Sequence, residues 1–217
     1  LKRFLSNNKE DNQLSYSKIV SYGELWSTCI VSSYLNKKGL LNDWVDARKI
    51  IKTKSNFTES EIDWPKTNEI INQTIDKQKL HVTQGFIASN SNKDTTTLGR
   101  EGSDFSASII GTCLDVDEVV IWKDVDGLLN ADPKWFDNTK VLKNISYKEA
   151  IELSYLGASV IHPNTVKPLQ NKNINLRIKS FLVPSKKGTL ISKNGQNDRE
   201  IPSIIYKPSQ ILLSINT

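Results

Sequence analysis

The sequence has no methionine, only two cysteines and only two histidines in its 217 residues. Two thiols are too few for a disulfide framework, and no carboxylate or cysteine stands at ligand spacing around either histidine. Cys29 and Cys113 both fall in apolar helical patterns, so both are expected to be buried thiols. A cytoplasmic location is the matching expectation. No apolar run approaches the roughly 18 residues that a membrane-spanning helix needs. The first residues, Leu1-Lys2-Arg3-Phe4, lack the apolar stretch of a signal peptide. Internal repeats and low-complexity tracts are missing too. Neither G-x-x-x-x-G-K-[ST] nor G-x-G-x-x-G occurs, which leaves two common phosphate fingerprints without support. The chain opens on leucine and closes on "QILLSINT", which reads as an interrupted strand, so it is expected to be a fragment.

What is present describes an ordinary globular chain. Apolar residues make up 37% and the mean hydropathy is −0.42, which suits one sizeable core. The net charge of +5 is spread along the chain, with only short clusters such as Lys186-Lys187. No aromatic-rich basic stripe accompanies it, so no nucleic-acid face and no membrane partner are expected.

Apolar periodicity predicts a helix over Tyr22–Lys38, with Leu25, Cys29 and Trp26 among its apolar positions and Gly39 as its stop. "NDWVDARKII" reads as a short strand and turn. Asp63-Trp64-Pro65 opens a second helix, since proline suits the first helical position. "LHVTQGFIA" reads as one strand running into Gly85. Ser103–Leu114 reads as a third helix, with Phe105, Ile109 and Cys113 on one side. In "EVVIWKDVDG" the apolar run Val119–Trp122 does not alternate, which predicts a strand buried on both faces. Ser146 and Glu149 have capping-box spacing ahead of a helix that ends near Gly157. "VIHPNTVKPLQ" reads as a strand or turn followed by a helix, and "INLRIKSF" as a last core strand. Strands alternating with helices predict an α/β fold with a parallel sheet and helices on both faces. Ligands in such folds gather at the carboxyl ends of strands. That rule selects the loops after Ile87, Trp122 and Ile161.

Two segments carry candidate chemistry. In Gly99-Arg100-Glu101-Gly102-Ser103-Asp104, glycines allow close backbone approach at the mouth of a helix whose free N–H groups favour anions. Arg100 offers a planar fork for a carboxylate, and Asp104 an acceptor for an ammonium group. Together they match an amino acid. The structural alternative is that Ser103 only caps the helix and Arg100 pairs with Glu101 or Asp104. The second segment is Lys123-Asp124 at the end of an apolar strand, followed by Asn130-Ala131-Asp132-Pro133-Lys134. Lys123 and Lys134 are able to reach phosphates, and Asp124 a ribose hydroxyl. A solvated loop with a salt bridge is the alternative. Glu24 is either a third site residue or a surface charge near a helix start.

At these residues the sequence resembles the aspartokinases of the amino-acid kinase superfamily. The matching segments are "SYGELWST", "WVDARKIIKT", "VTQGFI", "TTTLGREGSDFSA", "IWKDVDGLLNADP", "SYKEAIELSYLGASVIHP" and "NINLRIKSF…GTLIS". They fall in order and span about Val20 to Ser192. The resemblance implies a three-layer α/β/α sandwich with a mainly parallel central sheet. It implies transfer of the γ-phosphoryl group of ATP to the β-carboxylate of L-aspartate, with Mg²⁺ held mainly through the nucleotide phosphates. This is the first step of lysine, threonine and methionine biosynthesis. Carried over residue by residue, aspartate falls to Arg100, Ser103, Asp104 and Glu24. The nucleotide falls to Lys123, Asp124, Leu129 and Lys134, with Ser159 at a position often filled by lysine. A homodimer is implied for the complete protein.

The departures are as informative. Glu101 stands where the family usually has glycine, Lys123 where threonine is frequent, and Leu129 where many members have tyrosine. Family members begin with a strand and a K-F-G-G-T-S loop, and nothing in these 217 residues matches it. The expected organisation is therefore a catalytic domain over residues 1–200 without its phosphate loop, and a linker into a regulatory ACT domain over 201–217. Alone, these residues are expected to be inactive. Two other readings stay open: a kinase of the same fold for another small acid or a nucleotide, and an inactive amino-acid-binding fragment.

Overall fold

A computed structural model describes residues 13–54, 57–156, 160–196 and 202–204. The chain divides into two compact units, Leu1–Val116 and Asp117–Thr217. The expected boundary between residues 200 and 201 lies outside the described residues.

The first unit starts with helix α1 (Gln13–Lys37), which is longer than the spacing predicted. Gly39 does stop it: its φ is +84°, and Leu40 N–H donates back to Leu35 O at 3.0 Å. The inward face is the reverse of the apolar pattern. Ser15, Ser17, Ser21 and Ser32 are buried, while Trp26, Ile30 and Tyr34 are exposed. The buried serines are small and hydrogen-bonded. Ser17 Oγ donates to Phe57 O at 2.8 Å, and Ser32 Oγ to Asn42 Oδ1 at 2.6 Å. Satisfied polar groups are tolerated inside, so α1 lies close against its neighbouring strands on small side chains. Cys29 is consequently exposed, against expectation, whereas Cys113 is buried.

Next come β1 (Asn42–Val45) and the single helical turn α2 (Ala47–Ile50). Helix α3 (Trp64–Thr74) begins as expected, with Asp63 accepting from Lys66 N–H and proline in its first turn. Strand β2 (Leu80–Thr83) pairs in parallel with β1. The expected single strand across "LHVTQGFIA" is two strands, because Phe86 takes a left-handed φ of +69°. After that break β3 (Ile87–Ser89) forms an antiparallel hairpin with β4 (Thr95–Thr97). Helix α4 (Gly102–Leu114) follows. Ile50, Ile71 and Ile109 are fully buried in a common cluster, with Phe105 packed against it. Each such isoleucine contributes about 1.5–3 kcal/mol of burial free energy.

The second unit holds a four-stranded sheet in the order β5-β7-β8-β6. Its strands are β5 (Glu118–Lys123), β6 (Asn144–Ser146), β7 (Asn175–Ser180) and β8 (Thr189–Ser192). The β5–β7 and β6–β8 pairs are parallel and β7–β8 is antiparallel, so parallel pairing dominates, as expected. Strand β5 is not buried on both faces. It alternates, with Val119 and Ile121 inside and Trp122 48% exposed, because only one of its faces is packed against the core. Lys179 Nζ sits 4.8 Å from the Trp122 ring centroid and shields it. Helix α5 (Tyr147–Leu156) carries the predicted capping box. Ser146 N–H donates to Glu149 Oε2 at 2.7 Å, and Glu149 N–H to Ser146 Oγ at 3.2 Å. Its expected end at Gly157 lies outside the described residues. Helix α6 (Pro163–Lys172) is capped by His162, whose Nδ1 accepts from Asn164 N–H. Of the expected strand or turn just before it, the turn is found, at Val160.

Candidate functional site

The arginine segment is built from two tight turns. Gly99 has φ +74°, and a Cβ there would lie 2.6 Å from Glu59 Cγ. Gly102 N–H closes the turn onto Gly99 O at 3.1 Å. Glu101 then occupies the N-cap of α4 in the left-handed region, with φ 54° and no side-chain cap hydrogen bond. This conformation accounts for the glycine usual at that position, since a residue with a Cβ pays about 1–2 kcal/mol there. Ser103 is therefore not the cap; it lies inside the first turn, beside Asp104. Arg100 is exposed ahead of the uncapped helix start.

The start of α4 is clamped by the break between β2 and β3. A Cβ on Gly85 would sit 2.7 Å from Ser103 Cα, and one on Gly102 would sit 2.7 Å from Phe86 Cδ2. Phe86 N–H donates to Ser106 Oγ at 2.9 Å, and Ser106 Oγ to Gly102 O at 2.9 Å. The neighbouring Gln84 is buried and reaches the other way. Its Oε1 accepts from Ala47 N–H at 2.8 Å, and its Nε2 donates to Thr28 Oγ1 at 2.7 Å. Thr28 Oγ1 in turn donates to Glu24 O at 2.8 Å. One continuous path thus joins the helical turn of Glu24 to the segment of Arg100, Ser103 and Asp104. Gln84 and Thr28 tie these segments together, and sequence reasoning missed both. A glutamine beside a strand-breaking glycine was the available signal.

Glu24 lies in the middle of α1, not near its start. Burial pushes its carboxyl pKa up, and among the described residues no cation forms a salt bridge with it. A carboxylate in that state gains from a cationic ligand. A raised folded-state pKa favours the fold below the unfolded value and withdraws that favour as pH rises through the folded one. Glu24→Gln is therefore expected to raise the melting temperature at neutral pH, with a gain that shrinks as the medium is acidified. Thermal melts across that range check it, and a gain that is constant with pH would refute the charge argument.

In the second unit, β5 ends at Lys123, whose carbonyl accepts from Phe181 N–H at 2.9 Å. Asp124 and Lys134 are exposed. The loop between them is anchored at its centre. Leu128 N–H donates to Thr189 Oγ1 at 2.8 Å, and Leu129 bridges to Val141. Lys134 N–H donates to Asp132 Oδ1 at 2.8 Å, which fixes the turn and leaves the lysine head outside. Lys123 and Trp122 project to opposite faces of the strand. Lys179, in register with Trp122, is a further cation at this strand end that the sequence pattern did not single out. Ser159 lies outside the described residues.

A model of the amino acid kinase family matches residues 2–180. The chain belongs to that family. Curated relatives of this amino acid kinase are aspartokinases, alone or fused to homoserine dehydrogenase. It is 37% identical over 183 residues to bifunctional aspartokinase/homoserine dehydrogenase 2 of Zea mays, covering 83% of this chain and 20% of that protein. It is 32% identical over 203 residues to lysine-sensitive aspartokinase 3 of Escherichia coli, covering 92% of this chain and 45% of that protein. Among solved structures, E. coli aspartokinase III in complex with aspartate and ADP superposes with a TM-score of 0.84 at 31% identity, covering 90% of this chain and 46% of that one. The α/β fold class is that of these kinases. The chain spans less than half the length of the relatives named here.

Proposed function

We propose that this chain is part of the catalytic region of an aspartokinase, which phosphorylates the β-carboxylate of L-aspartate with ATP. The carrying observation is the path from Glu24 through Thr28 and Gln84 to Ser103. It ties a desolvated carboxylate to an uncapped helix start flanked by an arginine, and an amino acid brings the complementary charges. In this reading Arg100 holds the α-carboxylate and Glu24 the ammonium group. Ser103 and Asp104, in the first turn of α4, orient the substrate. Lys123, Asp124, Leu129 and Lys134 meet the nucleotide, and Ser159 is assigned to the same set from the sequence.

Phosphoryl transfer depends on alignment and charge neutralisation more than on a protein nucleophile. Among the described residues no group of three or more His, Cys, Asp or Glu side chains is able to hold a metal ion. In this reading Mg²⁺ would be carried on the nucleotide phosphates, its usual mode with ATP, and would neutralise phosphate charge there. The work left to this chain is to fix aspartate by both its charged ends and to pair lysines with the remaining phosphate charge.

The test is acyl-phosphate formation by the complete protein, trapped with hydroxylamine. Hydroxamate is expected with ATP and L-aspartate and not with glutamate, and ATP-dependent ADP release is expected with neither carbamate nor uridylate. Product from one of those and none from aspartate would replace the reading with a kinase for that substrate.

A further inference from the structure

The first unit contains a cavity of about 520 Å³ that shares no residue with the aspartate segment. Its wall carries Arg48, Lys49, Lys52 and Lys93 against a single carboxylate, Asp46, with Ser89 among them. Asp46 is already committed: its oxygens accept from Arg48 Nε at 2.9 Å and from Nη2 at 2.6 Å. Burial by itself would raise the Asp46 pKa, but hydrogen bonding and charge pairing with Arg48 hold it below the usual carboxylate range. The remaining cations are left without a carboxylate inside this cavity.

Two of them are held in place. Lys52 Nζ donates to Arg48 O at 2.7 Å and to Ser89 Oγ at 3.0 Å, which leaves its third N–H for an occupant. Lys93 sits in the hairpin turn with a left-handed φ of +66°. Asn90 Oδ1 fixes that turn by accepting from Asn92 N–H and Asp94 N–H, each at 3.0 Å. The adjacent acid, Asp94, pairs with Lys18 at 3.7 Å. The fold therefore fixes the Lys93 backbone in a left-handed conformation at the wall of the cavity, and strain of this kind collects at ligand sites. Burial lowers the Lys52 pKa first, and the charges of Lys66 and Lys93 add to the effect, partly offset by Asp46.

We propose that this cavity binds a small, multiply charged oxyanion of the phosphate class, gripped by Lys52, Lys93, Lys49 and the free side of the Arg48 guanidinium. A dianion answers several cations at once, and the guanidinium plane suits its oxygens. The volume lies within the range of ordinary ligand pockets, so a phosphomonoester with a small organic group fits as well as free phosphate. The site stands on the first unit alone, whether or not the chain acts on aspartate.

The test is titration of the protein with inorganic phosphate at constant ionic strength, read by calorimetry and by thermal shift. Saturable binding is expected. Lys52→Gln and Lys93→Gly should each weaken it by at least about tenfold, while Lys143→Ala, at an exposed lysine of the second unit, leaves it unchanged. Lys93→Gly also relaxes the turn, so its fold is expected to survive. Glycerol phosphate serves as the second probe. Tighter binding than inorganic phosphate assigns the site to an ester and weaker binding assigns it to the free anion, and either supports the site. Three results would overturn it: an equal thermal shift with sodium chloride, unchanged affinity in both Lys52→Gln and Lys93→Gly, or loss of binding in Lys143→Ala.

Discussion

Arg100→Lys is expected to raise the KM for aspartate by about tenfold to a hundredfold while leaving the KM for ATP near its original value. Arginine presents two parallel N–H donors to a carboxylate, and lysine presents a point charge on a flexible stem. Retaining the charge therefore does not retain the geometry. Arg100 is exposed and makes no packing contribution that lysine would forfeit, so the melting temperature should hardly move. Steady-state kinetics of the complete enzyme with each substrate varied in turn decide the matter. Similar rises in both KM values would mean that Arg100 acts on the fold of the segment or on the nucleotide, and the assignment would fail.

Gly85→Ala should do the opposite: damage the fold and, through it, the site. A Cβ at position 85 would lie 2.7 Å from Ser103 Cα and 2.8 Å from Ser103 Oγ. The first of these contacts is with helix backbone, which has no rotamer to escape into. Either the strand break or the start of α4 must shift, and overpacking of this kind typically costs about 1–3 kcal/mol, roughly a fivefold to 150-fold change in the folding constant. The same shift moves Ser103 and Asp104, so kcat/KM for aspartate should fall even at temperatures where the variant is folded. Gly23→Ala is the control. That glycine sits inside α1 with open space around it, and alanine there should stabilise by about 0.5–1 kcal/mol. If both variants lose stability alike, the close approach of Gly85 to Ser103 is not what holds the segment.

These cases show what a sequence pattern reports. Capping signals were legible because they are local: Asp63 before Trp64-Pro65, and Ser146 with Glu149, act within one turn, and both bond as their spacing implied. The arginine segment was legible because glycine, arginine and aspartate crowd into six residues. Burial was not legible in α1. Apolar periodicity assumes that helices bury their apolar face, and here hydrogen-bonded serines occupy the inner one. Strand β5 misled for a related reason, since nothing in "VVIW" says that one face of the strand stays open or that Lys179 lies over Trp122. Gln84 escaped notice because its partners, Ala47 and Thr28, are 37 and 56 residues away in the chain.

Helix α4 begins on a residue already bent into the left-handed region, with no side chain occupying its cap. Backbone strain at Glu101 was settled when the chain folded, so under the reading proposed here an arriving carboxylate has no capping side chain to evict from the helix start. The chain's own share of the ordering cost then falls mainly on the Arg100 side chain.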